Sequence, residues 1–487
     1  MPSASAVPHS QRLAPSGSWR NADFRRLWIG QTASQFGEQA TQLVLPLTAI
    51  LILHAGAGQV GALRAAGQAP LLLLTLFIGA WVDGWRTRTV MVLADVARAV
   101  TLSGLAAAIV LGWLGLPALL VAAFALGSLS VFFDVAYQAS VVRLVERRLL
   151  VQGNSALEGS RSVAQVSGLG LGGLLASVLP APIAVASSVP LFALSSLSIH
   201  RIRHETRPER PARRQRVWRQ IHAGLRFVAG HALLRGVGLA AAAFQFWFAA
   251  TMTVLLLFLT RDLHLTGTAV GLVLAAAGPG ALLGSLLAAR LPGRFGYGVV
   301  LVSAAVLGEG AMLCVPALRG PAAVTIPALV AVEFVFGACG QLVDVMIMAI
   351  RQAVTPDGMQ GRVSATITFA GMGLAPLGSL LGGLLGQECG LRVGLLATAA
   401  GLLLSPALMA SSPLIRLGRE LPPSALARAE PGQYSVRGAA AGRSSDIDRG
   451  RDANQHRSHP HHAHRQPAAA RRAGPGRRRR RRRRGRG

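Results

Sequence analysis

The chain has 487 residues, of which 52% are hydrophobic, 14% are charged and 56 are glycines. This composition excludes an ordinary soluble globular domain, in which about a quarter of the residues are charged. The 49 basic residues, all arginines, exceed the 20 acidic residues and give a net charge of +29. The composition therefore indicates a membrane protein with a basic region.

Apolar segments close to the ~20 residues needed to cross a bilayer recur along the chain. The first half predicts six transmembrane helices, at about residues 26–53, 60–82, 89–112, 116–138, 152–179 and 182–200. The second half predicts six more, at about residues 236–260, 267–290, 297–318, 322–349, 362–387 and 391–411. The expected fold is thus an all-α membrane protein with twelve spans.

The two sets of spans align at one offset of 210 residues. Identical residues then coincide: Gln35 with Gln245, Gly61 with Gly271, Asp134 with Asp344, and Gly173 with Gly383. A constant offset predicts two six-helix repeats whose elements have the same order and nearly the same lengths. A duplicated helical membrane bundle of this size is typical of proteins that move a solute.

Arginines predict the orientation of the bundle. They follow the even-numbered spans, whereas the alternate loops are short and carry few, with Arg261, Arg319 and Arg392 as the main exceptions. Since basic residues remain on the cytoplasmic side, both termini are expected in the cytoplasm of a multi-pass protein of the cell membrane.

Five regions follow from these patterns. They are a cytoplasmic segment at 1–23, the first half at 24–202, a cytoplasmic linker at 203–234, the second half at 235–412 and a tail at 413–487. In the linker, apolar residues from Val217 to Val228 recur every three or four positions, which predicts an amphipathic helix. It is expected either on the membrane surface or packed beneath the bundle.

The tail is rich in Arg and His and ends in eight consecutive arginines at 477–484. Such a composition predicts a disordered segment. Its histidines offer at most weak metal binding, and its arginines favour anionic membrane lipids or nonspecific RNA. No specific nucleic-acid partner, metal site or cofactor is expected.

The loop after the second span carries the most informative motif. Gly79 is followed by Asp83, and then by Arg86 and Arg88. This resembles the glycine–three residues–aspartate–basic motif between the second and third helices of the major facilitator superfamily. Residues 24–412 as a whole are similar to the drug-efflux branch, which includes macrolide and siderophore exporters. The chain departs from the motif at Gly84 and Thr87, positions that are usually basic in the family.

The resemblance implies that Asp83 and its arginines hold the two halves together on the cytoplasmic side when the transporter faces outward. An arginine of span three and an acid of span four extend that gate in the family, here Arg98 and Asp134. Asp95 lies three positions before Arg98, so the two share a helix face and can pair. The alternative is local charge neutralisation that only allows the helices to insert.

Three glutamates lie deeper within predicted spans, and none has a basic residue within four positions: Glu38, Glu309 and Glu333. A charge inside a membrane is costly and is a functional candidate by default. Glu38 is the first candidate for coupling to protons because it lies halfway along a polar stripe of span one. Glu333 is the second, and Glu309 is expected to be structural. The alternative for Glu38 is a protonated side chain bonded to a neighbouring helix.

The expected substrate cavity is apolar and aromatic. Its candidate residues are Gln35, Gln42, Phe244, Gln245 and Trp247, the last three in a span that lines the cavity in the family. Such a cavity suits lipophilic drugs or natural products better than sugars or phosphates. Because residues 244–248 cover all faces of a helix, some of them are expected to face lipid.

No nucleotide-binding loop and no catalytic constellation occur in the sequence, so neither an ATP-driven pump nor an enzyme is expected. The hypothesis is a monomeric transporter that exports lipophilic small molecules in exchange for protons by alternating access. Two alternatives remain: proton-coupled uptake, or a non-transporting scaffold or receptor that acts through the basic tail.

Overall fold

The structure, a computed structural model, describes residues 22–82, 86–144, 150–203, 217–356 and 359–420. These ranges are helical and contain no strand. The helices of the first half are α1 (Ala22–Leu51), α2 (Ala57–Val82), α3 (Thr87–Val110), α4 (Leu116–Leu144), α5 (Leu150–Val178), α6 (Ala181–Ala186) and α7 (Val189–His200).

The remaining α-helices are α8 (Val217–Gly230), α9 (Ala232–Leu257), α10 (Gly267–Ala275), α11 (Ala277–Ala288), α12 (Leu291–Phe295), α13 (Tyr297–Ala311), α14 (Ala322–Val354), α15 (Gln360–Met372), α16 (Ala375–Glu388), α17 (Leu391–Leu402) and α18 (Leu404–Ser411). A π-helical turn at Phe258–Asp262 continues α9, and a 3₁₀ helix at Met312–Ala317 continues α13. A second 3₁₀ helix spans Pro413–Arg416.

Nine helical segments of the described ranges are long and apolar enough to cross a membrane. The helices α1, α2 and α5 are not among these nine segments but are as long as them, with 30, 26 and 29 residues. Together the helices lie on every segment that the sequence predicts as a span. The described part of the chain is therefore an all-helical membrane protein.

Two helix breaks fall at the glycine and proline pairs of the sequence. The break between α10 and α11 lies at Ala276, just before Gly278-Pro279-Gly280, and α16 begins with Ala375-Pro376. Proline is tolerated in the first turn of a helix because the amide hydrogen it lacks would be unpaired there. Each of these two spans is thus built from a pair of consecutive helices.

Glycines bring the two halves together at one end of the bundle, where α1 ends and α2 begins; we call this the α1/α2 end. A Cβ on Gly61 of α2 would lie 2.9 Å from the Cα of Gly383 of α16. A Cβ on Gly173 of α5 would lie 2.7 Å from the Cα of Gly271 of α10. Backbones approach this closely only where no side chain intervenes.

The apolar cores differ between the two ends of the bundle. At the α1/α2 end, buried residues of both halves form one cluster, which includes Leu47 of α1 and Val254 of α9. At the opposite end, which we call the α2/α3 end, each half has its own cluster. Phe24 belongs to the cluster of the first half, and Met346 belongs to that of the second. Among the described residues, the halves therefore share a core at the α1/α2 end only.

The helix α8 packs against α9 and α15, and its Val228 is buried in the core of the second half. This contact agrees with a helix packed beneath the bundle, one of the two positions considered for it. The preceding residues 204–216 and the basic tail from residue 421 lie outside the described residues.

Candidate functional site

A buried ion pair of α3 is hydrogen-bonded to α1 in the first half. The Nη1 of Arg98 lies 3.0 Å from the Oδ1 of Asp95, as their spacing of three residues predicts. The same Nη1 donates to the hydroxyl of Ser34 on α1 over 2.9 Å, and that hydroxyl donates to Asp95 Oδ1 over 3.0 Å. Arg98, Asp95 and Ser34 are almost completely buried.

Two further carboxyl groups, those of Glu38 and Asp134, lie near this ion pair. The Oε2 of Glu38 on α1 lies 3.8 Å from the Nη2 of Arg98. Asp134 on α4 lies within electrostatic range of Glu38, Arg98 and Asp95. Glu38 is thus not isolated in space, because Arg98, sixty residues away in sequence, supplies the opposite charge. We call Ser34, Glu38, Asp95, Arg98 and Asp134 the charge cluster.

Aromatic rings enclose Arg98. Its guanidinium lies 5.0 Å from the centroid of the Phe133 ring and 5.3 Å from that of Phe192. Rings attract a cation through their quadrupole while excluding water from it. The Arg98 Nε and Asp95 Oδ2 atoms are buried and lack a hydrogen-bond partner among the described residues. The ion pair is therefore held in a dry site with unused hydrogen-bonding capacity.

The predicted gate lies only partly within the described residues. Gly79 is near the end of α2, whereas Asp83 lies outside the described residues. Arg86 is exposed at the start of α3. Arg88 donates from Nη1 to the carbonyl oxygen of Ile202 over 2.7 Å, and so ties the start of α3 to the end of α7. Any contact of Asp83 with the arginines remains a prediction.

The second half contains an aromatic cluster on α9 and α14. The ring of Phe248 lies 5.3 Å from that of Phe244 and 5.8 Å from that of Phe336, both stacked. The Phe244 and Phe336 rings are 6.4 Å apart. Phe244 was expected from the sequence, and Phe336 was not. We call these three residues the aromatic cluster; they present an apolar surface that suits planar or lipophilic groups.

The other cavity candidates are placed differently. Gln35 is buried in α1, and Gln42 is exposed. Gln245 lies against Gly371 of α15. Trp247 packs over Gly401 of α17 within its own half, and its ring makes an edge contact with Phe246. The consecutive aromatic residues thus point in different directions, as a helix requires.

The acids of the second half are scattered. Glu333 of α14 and Glu309 of α13 are buried, and neither forms an ion pair with a described residue. Asp344, at the position that the offset relates to Asp134, is exposed. The second half therefore has no counterpart of the charge cluster in the described part of the chain.

Polar contacts join the halves at the α1/α2 end. The hydroxyl of Ser379 on α16 donates to Oε1 of Gln68 on α2 over 2.9 Å. Arg261, in the π-helical turn after α9, donates from Nη2 to the carbonyl oxygen of Ala55 over 2.7 Å. These contacts could not be predicted from the sequence, because they join residues far apart in the chain. Only Arg261 is notable in the sequence, as an arginine in one of the alternate loops, which carry few arginines.

The adjacent Asp262 holds the π-helical turn to its own half. Its Oδ2 lies 3.2 Å from the Nε of Arg392 at the start of α17. Arg392 also donates from Nη1 to the carbonyl oxygens of Pro316 and Leu318 over 2.9 and 3.1 Å. No group of three or more potential metal ligands occurs among the described residues.

Comparison with known proteins identifies a family and a similar protein. A family model described as "transmembrane secretion effector" matches residues 12–433. The multidrug efflux pump Tap of Mycobacterium tuberculosis is 27% identical over 362 residues, which are 72% of this chain and 84% of Tap.

Solved structures show the same fold at low sequence identity. A nucleoside transporter, NupG, has a TM-score of 0.62 at 12% identity, over 80% of this chain and 98% of NupG. A bacterial homologue of the human lysosomal transporter Spinster, in an inward-facing and unoccupied conformation, has a TM-score of 0.63 at 14% identity. That match covers 81% of this chain and 97% of the homologue.

Proposed function

We propose that this chain, which belongs to the transmembrane secretion effector family of the major facilitator superfamily, exports lipophilic small molecules in exchange for protons. The family makes it a membrane transporter. The direction and the substrate class are supported by the similarity to an efflux pump named for multiple drugs. The aromatic cluster supports the same substrate class, because it offers stacking surface without a fixed charge.

The proposed architecture has twelve spans in two six-helix halves, with both termini in the cytoplasm. The two glycine crossings support it, since the 210-residue offset relates Gly61 to Gly271 and Gly173 to Gly383. Each half thus supplies the same two positions to its contact with the other. The arginine-rich loops support the orientation, which makes the α1/α2 end the outer end.

The proposed mechanism is alternating access. A shared core and two glycine crossings close the outer end, while at the inner end the described buried residues form a separate core in each half. This arrangement corresponds to a transporter that faces the cytoplasm. Rocking of the halves would separate the outer crossings and bring the cores at the inner end together.

Glu38 is the proposed proton carrier. The observation that carries this proposal is the 3.8 Å separation of Glu38 Oε2 and Arg98 Nη2 in a site closed by aromatic rings. As an anion, Glu38 is attracted to Arg98; when Oε2 takes up a proton, that attraction is lost. Arg98 then pairs with Asp95 alone or turns towards Asp134. A fifth of the Glu38 side chain is exposed, which gives the proton a path.

The test is efflux of a lipophilic fluorescent dye from cells that produce this chain, with and without a protonophore. We expect Glu38→Gln to abolish protonophore-sensitive efflux, because the amide keeps the shape of the side chain but cannot carry a proton. Glu388→Gln, a change of an exposed acid at the end of α16, is the matched control and is expected to behave like the wild type. Normal protonophore-sensitive efflux by the Glu38→Gln chain would rule out this role.

A further inference from the structure

Arg64 of α2 is a partly buried charge that has no role so far. It was not singled out by the sequence analysis, although it lies within the second predicted span. Its Nε is buried without a hydrogen-bond partner, and none of the described acids forms an ion pair with it. A cation inside a membrane bundle is costly unless something neutralises it.

Helix geometry fixes the direction of Arg64. At 3.6 residues per turn, Arg64 is about 60° from Gly61 and about 40° from Gln68 around α2. Both of those residues contact α16 of the other half. On the other flank, Gly67, about 60° from Arg64 in the other direction, lies against Gly127 of α4. Arg64 therefore points to the interior between the halves.

The contacts of α16 determine the depth at which Arg64 lies along the bundle. On one side, α16 meets α2 at Gly61 and Gln68, the residues one turn before and after Arg64. On its other side, Gly378 and Gly382 of α16 lie against the backbone of α9 at Phe246 and Ala250. The level of Arg64 on α2 therefore matches residues 246–250 of α9.

That stretch of α9 contains Phe248, the centre of the aromatic cluster. The helices α2 and α9 also contact each other directly. The fold thus places an unpaired guanidinium and a stacked aromatic surface at one depth, just below the glycine crossings that close the α1/α2 end. The side chain of Arg64 is only partly buried, so an incoming group can reach it.

We propose that Arg64 is an anion-binding subsite at the closed end of the space between the halves. It binds the carboxylate or another acidic group of an aromatic amphiphile whose apolar part contacts the aromatic cluster. A guanidinium is suited to this role because it stays charged and forms two parallel hydrogen bonds with a carboxylate. The proposal rests on the proposed function and narrows its substrate class to acidic amphiphiles.

The test compares 1-pyrenebutyrate with its neutral amide, 1-pyrenebutyramide, in binding to the purified full-length chain in detergent at neutral pH. Hydrogen bonds to a charged group contribute about 1.5–3 kcal/mol, so the acid is expected to bind about tenfold tighter or more. Arg64→Gln should remove the difference, and Arg64→Lys should keep part of it. Arg290→Gln changes an exposed arginine and should leave it intact.

Equal affinities of the wild type for the acid and the amide would overturn the proposal without any variant. It would also be overturned if a folded Arg64→Gln chain kept the full preference for the acid. Efflux of either compound judges the proposed function separately, since protonophore-sensitive export of the acid or of the amide would support it. Protonophore-sensitive export of either compound without preferential binding of the acid would leave the function standing and remove the subsite. Preferential binding of the acid without export of either compound would leave the subsite standing and remove the function.

Discussion

The helices α1 and α9, which the offset of 210 residues relates, have opposite chemistry. In α1, Ser34 and Glu38 lie one turn apart and contact Arg98. At the positions 210 residues later, α9 has Phe244 and Phe248, whose rings stack. The same helix face thus carries charge in the first half and aromatic surface in the second.

The third spans complete this difference. The position that corresponds to Arg98 is Gly308 of α13, where a Cβ would meet the side chain of Cys339. The second half has closed the space that a guanidinium occupies in the first. The same spacing of elements is thus compatible with different chemistry, with charge in the first half and apolar aromatic surface in the second.

The largest effect is expected from breaking the charge cluster at its centre. Arg98→Gln leaves Asp95, Glu38 and Asp134 near each other without a cation, and breaking a buried pair costs about 3–5 kcal/mol. We expect a large drop in the yield of folded protein and in its melting temperature, measured in detergent. Arg25→Gln changes an exposed arginine of α1 and should be neutral. A normal melting temperature for Arg98→Gln would show that the cluster is not structural.

A smaller effect is expected at the glycine crossings, which involve both halves equally. Gly173→Ala would place a methyl group against the backbone of Gly271 and should cost about 1–3 kcal/mol through overpacking. Thermal unfolding of the purified variant measures this cost. Gly104→Ala is the control, since a Cβ on Gly104 meets nothing within 4 Å. Equal melting temperatures for the two variants would contradict the close crossing.

Removing the hydroxyl of Ser34 tests the charge cluster more gently. Ser34→Ala leaves the Arg98–Asp95 contact in place but removes one hydrogen bond from each ion. The expected loss is about 1–2 kcal/mol of stability. Ser196→Ala, at a partly exposed position on α7, should lower the melting temperature less. The same loss in both variants would mean that Ser34 does not position Arg98.

The smallest effect is expected in the aromatic cluster, where it should concern transport more than folding. Phe248→Ala removes two stacked ring contacts, each worth about 0.5–1.5 kcal/mol. We expect a KM for an aromatic dye that is about twofold to tenfold higher, because the dye loses a ring to stack on, and a fall in melting temperature smaller than that of Arg98→Gln. Phe295→Ala changes an exposed ring and serves as the control. An unchanged KM would remove Phe248 from the substrate site.

The elements themselves could be predicted well from the sequence. Hydropathy and the 210-residue offset indicate where helices lie, because both depend on residues close in the chain or on a fixed spacing. The pair Asp95–Arg98 was predicted for the same reason, since three residues is one helical turn. The sequence also shows that glycines such as Gly61 and Gly383 recur at the offset of 210 residues, but it does not show that these two are in contact.

Contacts between helices were harder to predict from the sequence. Glu38 looked isolated because its partner, Arg98, belongs to another span, and the distance between spans depends on packing. Arg64 drew no attention because its direction follows from the contacts of its neighbours with α16. Conversely, a residue repeated in the sequence need not have the same surroundings in the structure. Asp344 lies 210 residues after Asp134, yet its side chain is exposed.

The closure of the α1/α2 end by glycine backbones has an electrical consequence. In the proposed inward-facing state, water in the open inner end would extend the cytoplasmic potential up to the crossings, and the membrane voltage would fall across the few helical turns beyond Gly61 and Gly173. Arg64 lies one turn to the inner side of Gly61 and is then at the cytoplasmic potential. When the outer end opens and the inner end closes, it comes to the external potential without moving. Each charge exposed in this way contributes about 2.3 kcal/mol per 100 mV, so voltage acts directly on the balance between the two states.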